Sequence, residues 1–431
     1  MANRIEVGDS GVVIESELQH APLFKWPMLT EDTKKILPQY GLLGCHEGSK
    51  LLLNTNVPFS TFICGVQGSG KSHTTSTILE NSLIRSKHLG RLQKPLSALI
   101  LSYGHFGSGN GFNICEATFL AAANDDSDQH AKKVNVLVSP SNYLAIREYY
   151  MKVPNVTVTP FRIKPWNLNI DVMLTLMAVK ESESPPLYMA QVSQILREMA
   201  AKSRVFNYLE FRALVDQQKF NKVQKQMLGQ RLKLLDWFLD LDNSCPEPTF
   251  HPGEITIMDM SCPFVDPNTA CILFKIGVEQ YLQSSSLGKM VVLDEAHKYM
   301  LDVPGAKALN ETMLQTIRLQ RHLGARVIIS TQEPTLLTDL IALCSVTVIH
   351  RFTSPEWLGA LRRHIPMATE DNNDIMQSIE SLKTGWALVY SSNAVLDKNQ
   401  DGSLKKGTGK LLEVCVRSRI TWDGGESILT A

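Results

Sequence analysis

The run Gly65-Val66-Gln67-Gly68-Ser69-Gly70-Lys71-Ser72 decides how the rest of the chain is read. It satisfies G-x-x-x-x-G-K-S, follows the apolar run Thr61–Cys64, and leads into a helical sequence beginning near Lys71. A phosphate chain needs backbone N–H donors at close range, which a glycine-rich backbone permits, and a helix amino terminus whose dipole favours anions. The expected contacts to bound ATP are Gly65, Gln67, Gly68, Ser69, Gly70, Lys71, Ser72 and His73. Lys71 would reach the β and γ phosphates, and the Ser72 hydroxyl would ligate Mg2+. By contrast, Gly107-Ser-Gly109-Asn-Gly111 lacks the spacing of a phosphate fingerprint and reads as a flexible loop.

Outward from this motif, apolar strand-like runs alternate with helical stretches, the pattern of a parallel sheet flanked by helices. The expected strands are Thr61–Cys64, Ala98–Ser102, Val134–Val138, Val156–Val158, Ile255–Met258, Val291–Leu293, Val327–Ser330, Val346–Ile349 and Trp386–Tyr390. Helical sequences replace them over Leu187–Ala201, Phe206–Asp216 and Phe220–Asp240, so the reading is an α/β fold with a helical insertion. The division expected is a short irregular lead-in over 1–50, a P-loop half over 51–184, the insertion over 185–245 and a second half over 246–431. Lys219, Lys222 and Lys225 recur at helical spacing as one basic stripe. Ser391–Gly409 reads as an exposed loop between two late strands.

Two further strand ends carry chemistry. In Met290-Val-Val-Leu-Asp294-Glu295-Ala-His297 an apolar strand delivers two carboxylates to its carboxyl end, where ligands of open parallel sheets gather. Asp294 suits the Mg2+ shell, and Glu295 is placed to accept a proton from the water that attacks the γ phosphate. A kinase, which has its own acceptor hydroxyl, has no use for a carboxylate aimed at water. The run Val327-Ile-Ile-Ser330-Thr331-Gln332 is a third such strand. Placed between the other two, it would bring Gln332 to the γ phosphate or its water, the mark of a RecA-like P-loop NTPase.

Composition narrows the class. The 431 residues carry 43 Lys+Arg against 43 Asp+Glu, which leaves no free-standing basic arm or acidic tail. Apolar runs such as Phe119–Ala123, Leu340–Cys344 and Trp386–Tyr390 fall far short of the roughly 20 residues of a membrane span, so no membrane insertion is expected. Early charges and no apolar leader at Met1 imply an intracellular protein, cytoplasmic or nuclear, that is not secreted. Eight cysteines without a Cys-x-x-Cys pair fit reduced thiols.

The motif order resembles the HerA/FtsK superfamily of hexameric ATPases, and within it the HerA-like proteins. Gly65–Ser72 is followed by Pro252-Gly-Glu-Ile-Thr-Ile-Met-Asp259-Met-Ser261, Leu293-Asp-Glu-Ala-His297, Arg321-His-Leu-Gly324 and Ser330-Thr-Gln332-Glu-Pro. Arg351 and Thr384-Gly-Trp-Ala-Leu-Val extend the likeness, which spans roughly residues 55–392 discontinuously. Two features depart from it. The second strand runs into Ser102-Tyr-Gly104-His105-Phe with no acidic pair, and only about 50 residues precede the core, too few for the family's β-barrel.

The resemblance implies a homo-oligomeric ring, a hexamer, that hydrolyses ATP and moves double-stranded DNA, with a nuclease or other protein partner by analogy. Polypeptide or conjugate transport and a slow nucleotide-controlled scaffold are the alternatives. A cation from a neighbouring subunit would complete the site. Arg321 is favoured by the resemblance, with Arg318 or Arg351 in reserve, and Arg318 and Arg321 would share a face of a helix over Ala306–Leu323.

Overall fold

The computed structural model describes residues 10–104, 112–124, 128–168, 173, 187–202, 206–366 and 372–424. The Gly107–Gly111 run and the first nine residues lie outside them. Eight strands form a continuous parallel sheet and are numbered here along the chain. They are β1 (Ser60–Cys64), β2 (Ser97–Ser102), β3 (Lys133–Val138), β4 (Val156–Pro160), β5 (Glu254–Asp259), β6 (Lys289–Leu293), β7 (Ala325–Thr331) and β8 (Val346–Ile349). Their spatial order is β4-β3-β5-β2-β6-β7-β1-β8. The chain leaves β1 through the helix Lys71–Leu83 and returns as β2 three places away, with β6 and β7 filling the gap.

These strands are apolar on both faces because helices cover both. Phe62, Leu99, Leu101, Val291 and Leu293 enter one core, against the helices Pro267–Gln283 and Pro304–Arg318. Ile63, Ile100, Met290 and Val292 alternate into the other, with Ile78 and Leu79 of the helix Lys71–Leu83. The three helices Leu187–Lys202, Tyr208–Asp216 and Lys222–Phe238 contribute to the first core only. The last of them begins with an Asn221/Gln224 capping box. Lys219 precedes that cap, so it does not continue one helical stripe with Lys222 and Lys225.

Three further expectations are corrected. Residues 1–50 are not an irregular lead-in. The helix Ser10–His20 is followed by strands Leu23–Lys25, Tyr40–His46 and Ser49–Leu53, the last running on to residue 53. Beyond β8 the sheet turns antiparallel through Trp386–Tyr390 and Leu412–Val416 and reaches these amino-terminal strands. The Ser391–Gly409 segment contains a hairpin, Val395–Lys398 with Leu404–Lys406, in which Val395 pairs Lys406 while Val395 is buried. The helix expected to reach Leu323 ends at Arg318. Leu319 leaves helical geometry, and a separate turn spans Gln320–Leu323, so Arg318 and Arg321 do not share one continuous helix.

Candidate active site

Register places the three motifs side by side. Cys64 of β1 pairs with Thr331 of β7, and Ile329 of β7 pairs with Leu293 of β6. The residues that follow these strands therefore leave the sheet at one edge: Gly65 beside Gln332, and Asp294-Glu295 one strand further on. The sequence condition on Gln332, a strand lying between the other two, is met by β7.

The phosphate loop turns on glycine. Gly65, Gly68 and Gly70 have φ of 152°, 72° and 112°, the left-handed region in which side chains are strained. Lys71 opens the helix Lys71–Leu83, is buried, and donates from Nζ to the Val66 carbonyl at 3.1 Å. Its Nζ stands 3.8 Å from Glu295 Oε1. Burial pushes the Lys71 ammonium below the ordinary lysine value, and Glu295 and Asp294 oppose that shift. Ser69 Oγ donates to the Val66 carbonyl, while Gln67 is exposed.

Glu295 is one of four non-glycine residues with positive φ among those described, at φ 47°. Such a conformation costs on the order of 1–3 kcal/mol and persists where surrounding contacts enforce it. Those contacts are present. Gln332 Nε2 donates to Glu295 Oε2 at 2.8 Å, and His297 Nε2 and Lys298 Nζ approach the same oxygen at 3.6 and 3.8 Å. Burial holds the His297 ring below its usual pKa. The structure thus brings Lys71, Glu295 and Gln332 into one cluster.

Asp294 continues the sheet, its N–H donating to Leu101 O at 3.0 Å. Its carboxyl is pushed up to about 6, by burial first and then by Glu295. The thiol of Cys115 lies 3.7 Å from Oδ2. Ser72, Thr75, Ser76, Glu116 and Asp294 line one small cavity beneath the start of the helix Lys71–Leu83. A buried carboxylate and a hydroxyl in such a cavity fit Mg2+, which takes one or two protein oxygens and completes its octahedron with water and phosphate. Ser72 and Asp294 would hold the ion. Among the described residues there is no cluster of three or more acidic, histidine or cysteine side chains that would form an all-protein cage.

Glu116 was not foreseen, because the sequence after β2 carries no acidic pair near Ser102. It arrives from the returning connection and is tied to Arg419 at 2.6 Å. Behind the cavity, Tyr150 Oη donates to Asp259 Oδ2 at 2.5 Å, Ser261 N–H donates to Asp259 Oδ1, and Gly104 N–H donates to Ser261 Oγ.

His73 meets the carboxy-terminal segment. Its Nε2 lies 2.8 Å from the Arg417 carbonyl, and its Nδ1 lies 3.9 Å from Asp423. That segment crosses the helix Lys71–Leu83 and anchors on Glu80, which is fully buried. Glu80 accepts from Arg417 Nη1 at 2.6 Å, from the N–H groups of Ile420 and Thr421 at 3.0 Å each, and from Thr421 Oγ1 at 2.7 Å.

The arginines separate. Arg318 and Arg321 lie before Ala325, the first residue of β7, whereas Gln332 follows its last. A strand rises about 3.3 Å per residue, so seven residues of β7 put them roughly 20 Å from their own site. Arg351 instead follows β8 at the site's own edge, where its carbonyl accepts from Val66 N–H at 3.0 Å. All three are exposed, and none has an ion pair among the described residues.

Asp294 gives a stability prediction. Above pH 3.8 the unfolded carboxyl is ionised while the folded one keeps its proton to about 6, so stability falls as pH rises through that window. The cost levels off above it at about 3 kcal/mol, an upper bound. Asp294→Asn should therefore raise metal-free stability by about 1–3 kcal/mol at pH 7.5 and bring little gain at pH 4. Urea unfolding at both pH values measures this; an equal gain at each would remove titration of Asp294 as the cause.

The strand order is that of the RecA-like P-loop NTPase fold. The sequence matches no family model and no curated protein. Among solved structures, VirB4 of Thermoanaerobacter pseudethanolicus is similar at TM-score 0.51 and 11% identity, over 88% of this chain and 97% of that one. The plasmid coupling protein TrwB in complex with a non-hydrolysable ATP analogue gives TM-score 0.49 and 12% identity, over 92% and 94%. The likeness to VirB4 shows a shared fold, the α/β sheet flanked by helices that the strand pattern implied. Among the described residues no helix is long and apolar enough to cross a membrane.

Proposed function

We propose that the chain is a ring-forming ATPase that couples Mg-ATP hydrolysis to translocation of a polymer, double-stranded DNA in the first instance. The observation that carries the catalytic part is the convergence of Lys71, Glu295 and Gln332 at the ends of three adjacent strands. Lys71 neutralises phosphate charge, Glu295 takes a proton from the attacking water, and Gln332 bridges that carboxylate to the γ phosphate position. Bound Mg2+ would neutralise charge on the β and γ oxygens. Residues 185–245 would form a helical unit inserted into this core.

The ring is supported by the distribution of arginines. Arg318 and Arg321 are exposed at the sheet edge remote from their own phosphate loop, where only a neighbouring subunit could use them. A DNA cargo is supported by the motif order and by exposed Lys222, Lys225 and Arg363, which allow a basic pore within an electrically neutral chain.

Mixing Lys71→Ala with Arg321→Ala subunits tests the shared site. Each variant alone should be inactive, and the mixture should regain measurable turnover at interfaces that carry neither defect. A mixture as inactive as either parent excludes Arg321 as the shared cation, and the same mixture with Arg318→Ala then examines the reserve. Duplex DNA should raise turnover of the unmodified protein, and the rise should fade steeply between 50 and 200 mM salt, about the range over which released counterions dominate. Turnover indifferent to DNA would transfer the reading to a polypeptide cargo or a slow switch.

A further inference from the structure

His350 is buried immediately after β8, and the mechanism above gives it no task. Its backbone N–H donates to Cys64 O at 2.8 Å, extending the pairing of β8 with β1 to the brink of the phosphate loop. Its ring is held at both nitrogens. Nδ1 lies 3.0 Å from the Trp386 carbonyl, and Nε2 lies 2.9 Å from Thr74 Oγ1. A carbonyl can only accept, so Nδ1 carries the proton; the neutral ring then accepts at Nε2 from the Thr74 hydroxyl. Thr74 is one turn into the helix that Lys71 opens.

The loop is wrapped around this ring. A Cβ at Gly65 would come within 2.7 Å of His350 Cβ, and one at Gly70 within 3.3 Å of Cε1 and 3.4 Å of Nδ1. Two of the three loop glycines therefore abut the same histidine, which supplies a floor beneath the N–H groups that phosphate would meet. Burial, with Lys71 and His73 adding in the same direction, holds the imidazole down at about 4, so the bonding pattern stays fixed across neutral pH.

We propose that His350 is a positioning residue for nucleotide binding: through Thr74 and Trp386 it sets the phosphate loop in its anion-binding shape. The inference rests on the reading of Gly65–Ser72 as the phosphate site. Neither His350 nor Thr74 is among the residues expected to contact the nucleotide, so their removal should weaken binding and spare the chemical step.

The test is calorimetric titration of the full chain with a non-hydrolysable ATP analogue and Mg2+, alongside kcat and KM for ATP. His350→Ala should weaken binding about tenfold or more, the equivalent of one lost buried hydrogen bond with its partner stranded. At saturating ATP kcat should stay within about threefold of the unmodified value. Thr74→Val, which keeps shape and removes the hydroxyl, should show the same split more mildly. His350→Asn can still donate to Trp386 O, and His350→Gln can still accept from Thr74, so each should restore part of the affinity.

Unchanged affinity in Thr74→Val and both amide variants would overturn the proposal, even if His350→Ala failed to fold. So would a fall in thermal stability alone, or a loss confined to kcat. Lys71→Ala serves as the control. If it still bound the analogue normally, the phosphate-site reading would fail and the role of His350 with it; if it lost binding while the His350 series did not, only the positioning role would fail.

Discussion

Glu295→Gln should bind ATP with near-normal affinity and hydrolyse it about 100- to 10,000-fold more slowly, the range expected for loss of a general base. The substitution keeps shape, and the amide can still meet Gln332, 2.8 Å away in the native protein. What it removes is the ability to take a proton from water. Affinity should hold or rise, because Lys71 loses a competing carboxylate at 3.8 Å and is freer to pair with phosphate. The strained backbone at φ 47° is unaffected by the change of side chain, so stability should move little. Single-turnover hydrolysis and equilibrium binding of the analogue separate the two effects. Hydrolysis at the native rate would show that another group activates the water, and Glu295 would then be a structural clamp on Gln332.

Glu80→Ala should destabilise the fold by about 3–5 kcal/mol, the range for removing one partner from a buried, hydrogen-bonded charge pair. The four donors that converge on Glu80 lose their acceptor together. Arg417 also bonds Leu42 O, Thr77 O and Asn81 Oδ1, so it stays buried with its charge uncompensated. Glu80→Gln keeps an acceptor for the Ile420 and Thr421 groups and should cost about 1–3 kcal/mol. Urea unfolding followed by tryptophan fluorescence measures both. A loss below about 1 kcal/mol for the alanine variant would mean that the segment 417–424 is not anchored through this carboxylate.

The parallel strands were legible because burial on both faces makes them short, nearly continuous apolar runs, and β1, β6 and β7 each end in residues of a distinct chemistry. The hairpin Val395–Lys398 and Leu404–Lys406 was not. It sits at the sheet's edge, where Asp397, Lys398, Lys405 and Lys406 remain in solvent and resemble loop sequence. The break at Leu319 has no proline or glycine to mark it. His350 and Glu80 were missed for another reason: their partners are 276 and 337–341 residues away, and proximity of that kind leaves no trace in spacing. A signal did exist for His350, a polar residue following the apolar strand Val346–Ile349 and next to Arg351.

The carboxy-terminal segment imposes an order of events on biosynthesis. The helix after the phosphate loop buries Thr74 to Thr77, Glu80 and Asn81, a polar face that no apolar core could satisfy. Its partners include His350, Arg417, Ile420 and Thr421, all made more than 250 residues later. A nascent chain can carry the complete phosphate motif long before it can bury that helix. The phosphate motif is therefore made well before the groups that bury its helix, and a translation product that stops short of Arg417 has the motif without the partners of Glu80.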